Sequence, residues 1–341
     1  MMETREILKR LSASFGPAGF EEEVAKEIKR LVANEVDGVG RDALGNVVAT
    51  VNPDGSPHWA LFAHMDEIGG VVSKLEEGGF VRITPVGGVD PKILVSQRVR
   101  IHTRSGVIDG VVGAVAPHLL DKNKRDKVPM YEELFVDVLD GVERIRVGDP
   151  VTVDVEPCEL RSGYVSGKAL DNRASCAVLV KVCEYLKERK FGFKVSVVFN
   201  TTEETGGAGA KGAAYALEPD YAIVVDATHA NEDTGMNKIE LGKGPAIAVG
   251  APVDRTLFQK ACDVAERFSI PYQIEPVPGR SGTDTDQVQL VRRGIKTLLI
   301  SVPLLYMHTP VEVVDPRDVE TTARLIVELF MNFERGGGQC I

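Results

Sequence analysis

Helix-like and strand-like segments alternate along most of this sequence, and the alternation stops between residues 67 and 163. There the chain becomes a series of short stretches rich in Val and Ile, at 79–85, 98–103, 107–115, 134–139 and 150–155, separated by Gly, Pro and Asp. Short strands at such spacing predict a small β-barrel or sandwich. Before it, Ile7, Leu8 and Leu11, then Val24, Ile28 and Leu31, recur at helical spacing around a Gly16-Pro17-Ala18-Gly19 break, which reads as two helices. Strands are expected at 46–51 and 59–63, the second an uninterrupted apolar run typical of a strand covered on both faces. After it, helices at 171–189, 208–216, 254–268, 283–291 and 316–333 alternate with strands at 194–200, 221–225, 245–249, 272–275 and 296–301. That pattern predicts an α/β fold, a sheet flanked by helices. The economical organisation is a discontinuous domain, 1–66 plus 164–341, with an all-β domain, 67–163, inserted. A Gly336-Gly337-Gly338 tail is expected to fray.

Composition narrows the function. Forty Lys plus Arg against 50 Asp plus Glu leave a formal charge of −10, and the longest basic tract, 122–127, is preceded by Asp121, interrupted by Asp126 and reads as a solvated loop. Nucleic acid is therefore not an expected partner, since phosphate binding needs clustered cations. No apolar run approaches the roughly 18–20 residues of a membrane span, and the start lacks the basic-then-apolar order of a signal peptide, so the expected location is the cytoplasm. Five scattered cysteines without a CxxC pair argue against a disulfide framework or a thiolate zinc site.

The chemistry-bearing residues fall at the ends of predicted strands, where open α/β sheets gather their sites. His64 and His308 follow apolar runs, Glu203-Glu204 follow 194–200, Asp226 ends 221–225, and Asp171 opens a helix. So many carboxylates cannot stand together ionised without a counter-charge. Neutral imidazole with carboxylate suits Zn, Co or Mn in an open, catalytic site. Two His and four acidic residues exceed the needs of one four-coordinate ion, which implies two ions roughly 3.5–4 Å apart sharing one carboxylate. Asp66, two residues after His64, is suited to fix that ring's tautomer. Of Glu203 and Glu204, one is expected to bind metal and its neighbour to act as base, because adjacent residues in extended backbone point apart. Taken singly each residue has a plainer role, such as Asp171 as a helix cap; the joint arrangement carries the argument.

With these residues in view, the chain resembles the tetrahedral, or TET-type, metallo-aminopeptidases, which include glutamyl aminopeptidases and proteins labelled cellulase or endoglucanase. The resemblance rests on Gly19-Phe20-Glu21-Glu22-Glu23, Ala63-His64-Met65-Asp66-Glu67-Ile68-Gly69, Pro117-His118-Leu119-Leu120, Ala169-Leu170-Asp171-Asn172-Arg173, Glu203-Glu204-Thr205-Gly206, Gly282-Thr283-Asp284 and Met307-His308-Thr309-Pro310-Val311-Glu312. It implies a zinc-peptidase-like catalytic domain, with His64, Asp171 and Asp226 around one metal and Asp171, Glu204 and His308 around the other. It also implies Glu203 as general base, Asp66 orienting His64, and zinc or cobalt, with manganese as a third candidate. The inserted β domain would pair subunits into dimers, and six dimers would close a hollow dodecamer. Ser175 and Thr285-Asp286 depart from the family pattern, the latter near where the family places substrate.

The expected function is hydrolysis of the amino-terminal bond of short peptides by a dinuclear metal site. Three rivals use the same residues differently: a dimetal deacylase of N-acyl amino acids, a glycoside hydrolase and a metal-binding homologue without activity. A glycosidase needs two carboxylates flanking the sugar bond and would give the two His no task. His118 is expected at an interface, His229 is near enough to Asp226 to line the site, and His58 and His102 have no partner pattern.

Overall fold

The computed structural model describes residues 2–113, 115, 117–119, 127–232 and 235–335. Residues 122–126 of the basic tract, Cys340 and the triple-glycine tail lie outside them.

The apolar run 59–63 is the centre of the molecule. Trp59, Ala60, Leu61, Phe62 and Ala63 are all fully buried, on a strand, His58–His64, that pairs in parallel with Lys194–Asn200 on one side and Tyr221–His229 on the other. Lys296–Leu305 extends the parallel set. Alternation along such a strand sends successive side chains to opposite faces. Trp59, Leu61 and Ala63 join the larger core, under helices Thr4–Ala13, Glu22–Val32, Leu170–Lys187, Arg255–Arg267 and Pro316–Arg335, while Ala60 and Phe62 join the smaller one under Ala208–Leu217. Trp59 stacks on Tyr221, with ring centroids 4.6 Å apart, and meets Phe330 and Phe333.

Antiparallel strands complete the sheet. Val47–Val51 and Gly38–Arg41 lie beyond Lys194–Asn200; Glu312–Val314, Val165–Gly167 and Cys158–Glu159 lie beyond Lys296–Leu305; and an arm through Ala246–Gly250 to Gln273–Val277 branches from that same strand. Between them runs a closed six-stranded barrel, Gly69–Leu75, Phe80–Val86, Phe135–Asp137, Gly106–Gly113, Arg98–Thr103 and Pro150–Val153. Along Gly106–Gly113, Ile108 and Val112 are buried while Val107 and Val111 face out, the alternation a closed barrel needs. Among the described residues no helix is long and apolar enough to cross a membrane.

Three local expectations change. His64 is the last residue of its strand rather than the residue after it. The helix expected at 283–291 is only Thr285–Val288. Asp171 (φ −79°, ψ 103°) and Asn172 (φ −119°, ψ 32°) are not helical, so the regular helix starts after them. Gly38–Arg41, Cys158–Glu159, Val165–Gly167 and Glu312–Val314 gave no sequence signal because they are too short to show alternation, and Gly69–Leu75 was not expected either.

Candidate metal centre

Parallel register brings distant residues to one sheet edge. Asn200 lies opposite His64, so the turn after it delivers Glu203 and Glu204 beside that ring. Asp226 is level with Ser301 on the neighbouring strand, and His308 follows three residues after that strand ends.

Asp171 is the hinge of the arrangement. Its Oδ1 lies 3.3 Å from His64 Nε2 and its Oδ2 3.3 Å from His308 Nε2. His64 Nε2 is also 3.8 Å from Asp226 and 3.9 Å from Glu203, and His308 Nε2 is 3.4 Å from Glu204. Donors sharing a tetrahedral ion at about 2.0–2.1 Å are separated by roughly 3.3 Å, so these spacings suit cation binding. The ligand atoms of His64, Asp171 and Asp226 all lie within 4.8 Å of one another, as do those of Asp171, Glu204 and His308, and those of His64, Glu203 and Glu204.

The electrostatics have the same origin. His308 is pushed up to about 11 by its bonds to Asp171 and Glu204. Burial pulls His64 down, but Asp171 and Asp66 outweigh it and leave the ring well above the usual range. Burial would raise Asp171, yet the two imidazoles hold it below the carboxylate range. Burial drives Glu203 up to about 8 and Asp226 well above its ordinary value. Side chains alone thus balance their charge with protons on the rings; divalent cations would balance the carboxylates with both imidazoles neutral.

The backbone around these residues is held by buried carboxylates. His64 Nδ1 lies 3.4 Å from Asp66 Oδ1 and 3.3 Å from the Asp66 backbone carbonyl. The two Asp66 carboxylate oxygens also accept the N–H groups of Glu203 and Glu204, each at 3.1 Å. Those glutamates occupy one 3₁₀ turn, Glu203–Thr205, entered through Thr202 at φ 58°. The backbone is therefore not extended there, and the divergence of the two side chains comes from the turn: Glu203 approaches His64 and Glu204 approaches His308.

Glu312 does the same on the other side. It accepts the Asp171 N–H at 3.0 Å and the His308 N–H at 2.8 Å, which steadies His308 at φ 60°, a left-handed conformation costing a non-glycine residue about 1–2 kcal/mol. Its role had no sequence signal beyond membership of the Met307–Glu312 motif. Asp284, an apparent helix-terminus acid, is buried and accepts from Asn200 Nδ2 at 2.6 Å; burial pushes it up to about 7. The barrel also reaches the centre, since a Cβ on Gly88 would lie 3.0 Å from His308 Nδ1.

The remaining histidines lie apart from this cluster. His58 bonds Ser196 Oγ at 2.8 Å, and His102 stacks on Phe15 with centroids 3.6 Å apart. His118 is in a short 3₁₀ turn of the inserted segment. His229 lines the cavity over the centre and pairs with Glu232 at 3.2 Å. Ser175 and Thr285 are fully buried.

Known proteins share this whole framework. Residues 45–325 match the family described as M42 glutamyl aminopeptidase. A lysyl aminopeptidase of Pyrococcus furiosus is 34% identical over 334 residues, covering 94% of each chain. The structure of a TET aminopeptidase from a marine sediment thaumarchaeote superposes with a TM-score of 0.91 at 27% identity, covering 96% of this chain and 97% of that one. A TET1 peptidase of Pyrococcus horikoshii, described as able to assemble into a tetrahedron or a large octahedral shell, superposes with a TM-score of 0.86 at 30% identity, covering 96% and 99%.

Proposed function

Because the chain belongs to the M42 glutamyl aminopeptidase family, and so is a peptide hydrolase, we propose that it removes single residues from the amino terminus of short peptides in the cytoplasm. In this reading two divalent cations, zinc or cobalt with manganese as the third candidate, are held by His64, Asp171 and Asp226 and by Asp171, Glu204 and His308. The observation that carries it is Asp171, whose two oxygens each face a different imidazole at 3.3 Å.

Bound ions at these positions would supply Lewis-acid polarisation of the scissile carbonyl and a lowered pKa for an attacking water. Glu203 takes that water's proton at a carboxylate oxygen and delivers it to the leaving nitrogen. Asp66 holds the His64 ring and both glutamate amides, and Glu312 holds the backbone of Asp171 and His308. Carboxylates beside the centre, together with a bound ion, would receive the free α-amine of the peptide, which restricts cleavage to the terminus.

Self-association is part of the proposal: dimers made through the barrel, assembled into a dodecamer. The shell-forming Pyrococcus horikoshii relative supports it.

The test is a panel of aminoacyl chromogenic substrates with metal-stripped protein refilled with Zn, Co or Mn, alongside a dipeptide and its N-acetyl form. Cleavage of the free-amine dipeptide alone is expected. Preference for the acetylated form would replace this reading with a deacylase, and sugar release by metal-free protein would replace it with a glycosidase.

A further inference from the structure

One carboxylate in the cavity over the centre has no part in the chemistry above. The cavity, of about 590 Å³, is walled in part by Glu275, on strand Gln273–Val277. Its Oε1 accepts from the Thr228 hydroxyl and its Oε2 from the Ser301 hydroxyl at 2.8 Å. A carboxylate has about four acceptor positions; two hydroxyl donors fix this one and leave others facing the cavity.

Its position relative to the centre follows from the sheet. Thr228 is two residues beyond Asp226 on the same strand, so their side chains share a face about 7 Å apart. Ser301, the other donor, is level with Asp226 on the adjacent strand. The Glu275 carboxylate therefore sits about one side-chain length from Asp226, a span suited to the four-carbon stem of lysine. A competing cation, Arg280, also borders the cavity, but its side chain is 87% exposed and lies 3.5 Å from Asp286. It belongs to the rim, where solvent weakens such charges.

We propose that Glu275 is the specificity-determining residue of this cavity and selects peptides whose first residue carries a cationic side chain, lysine or arginine. The proposal rests on the aminopeptidase reading and deepens it.

The experiment measures kcat/KM of the metal-loaded enzyme on chromogenic substrates with lysine, norleucine or glutamate at the amino terminus, for the parent protein and Glu275→Gln. Lysine should exceed norleucine by about 10–100-fold in the parent, the range for one hydrogen bond to a charged group, and the ratio should collapse toward unity in Glu275→Gln. A parent that prefers norleucine or glutamate, a ratio that the substitution leaves intact, or an equal loss on all three substrates would overturn it. Equal loss would mark a structural or amine-holding role. Failure of the parent to cleave any of the three, or any free-amine peptide, would instead sink the aminopeptidase reading and this proposal with it. Should Glu275→Gln fail to fold, competitive inhibition of the parent decides the matter: tighter binding of free L-lysine than L-norleucine supports the selection, and equal binding overturns it.

Discussion

Glu312 accepts the backbone N–H of Asp171 at 3.0 Å across 141 residues of sequence, and its other oxygen accepts that of His308. One carboxylate thus fixes the backbone of two proposed ligands. Replacement by alanine would leave the buried Asp171 amide without this acceptor, at about 1–3 kcal/mol, and free the part-buried His308 amide. Glu312→Ala should lower metal affinity about 10–100-fold, read by chelator competition, with helix content retained and part of the turnover restored by excess metal. Unchanged affinity would show that the backbone needs no such brace.

Asp66 divides its oxygens between the Glu203 and Glu204 amides. An asparagine can accept through only one side-chain atom, so Asp66→Asn turns an N–H donor toward one of these amides. Turnover should fall about 10–100-fold, while elemental analysis finds bound metal largely kept. Full activity in the variant would remove the orienting role.

Glu203 is the proposed base rather than a required ligand. Glu203→Gln should retain metal and lose about 10²–10⁴-fold in kcat, with little change in KM. Loss of metal would reassign the residue, and undiminished turnover would remove it from the mechanism.

His58 carries a pH signature away from the centre. Burial, then Lys194, lowers its pKa from 6.5 to about 4. The folded state therefore binds fewer protons than the unfolded one, and the contribution to stability is full above 6.5 and is lost as pH falls toward 4. In chemical denaturation, the midpoint of the parent should drop more between pH 7 and pH 5 than that of His58→Gln. Parallel curves would show that the imidazole keeps its ordinary titration.

What could be read in the sequence was whatever a short stretch of chain decides. The run from Trp59 to Ala63 announced a strand covered on both faces, and the Val- and Ile-rich segments announced a barrel. His64, Glu203, Glu204 and His308 stood out because they follow apolar strand-like runs and Asp171 because it opens a helix; Asp226, expected at a strand end, lies inside Tyr221–His229, and the structure gathers all six at one edge of the sheet. Features set by distant contacts were illegible. The turn carrying Glu203 and Glu204 depends on Thr202 and on a carboxylate 137 residues away, so an extended backbone was the wrong expectation. Asp284 was visible only as part of the Gly282-Thr283-Asp284 motif, and only the fold brings Asn200 against it. Glu275 lay on a strand with no distinguishing pattern, and its meaning comes from the two hydroxyls it meets.

The buried bond between Glu67 and Lys168, 2.6 Å long and spanning 101 positions, ties the chain just before the first barrel strand to the chain just after Val165–Gly167. Departure and return thus share a single anchored doorway. Mutational drift in the barrel's outer wall can proceed while the path of the polypeptide into the sheet stays pinned, so the surface proposed to pair subunits is free to diversify without re-threading the residues proposed to perform the reaction.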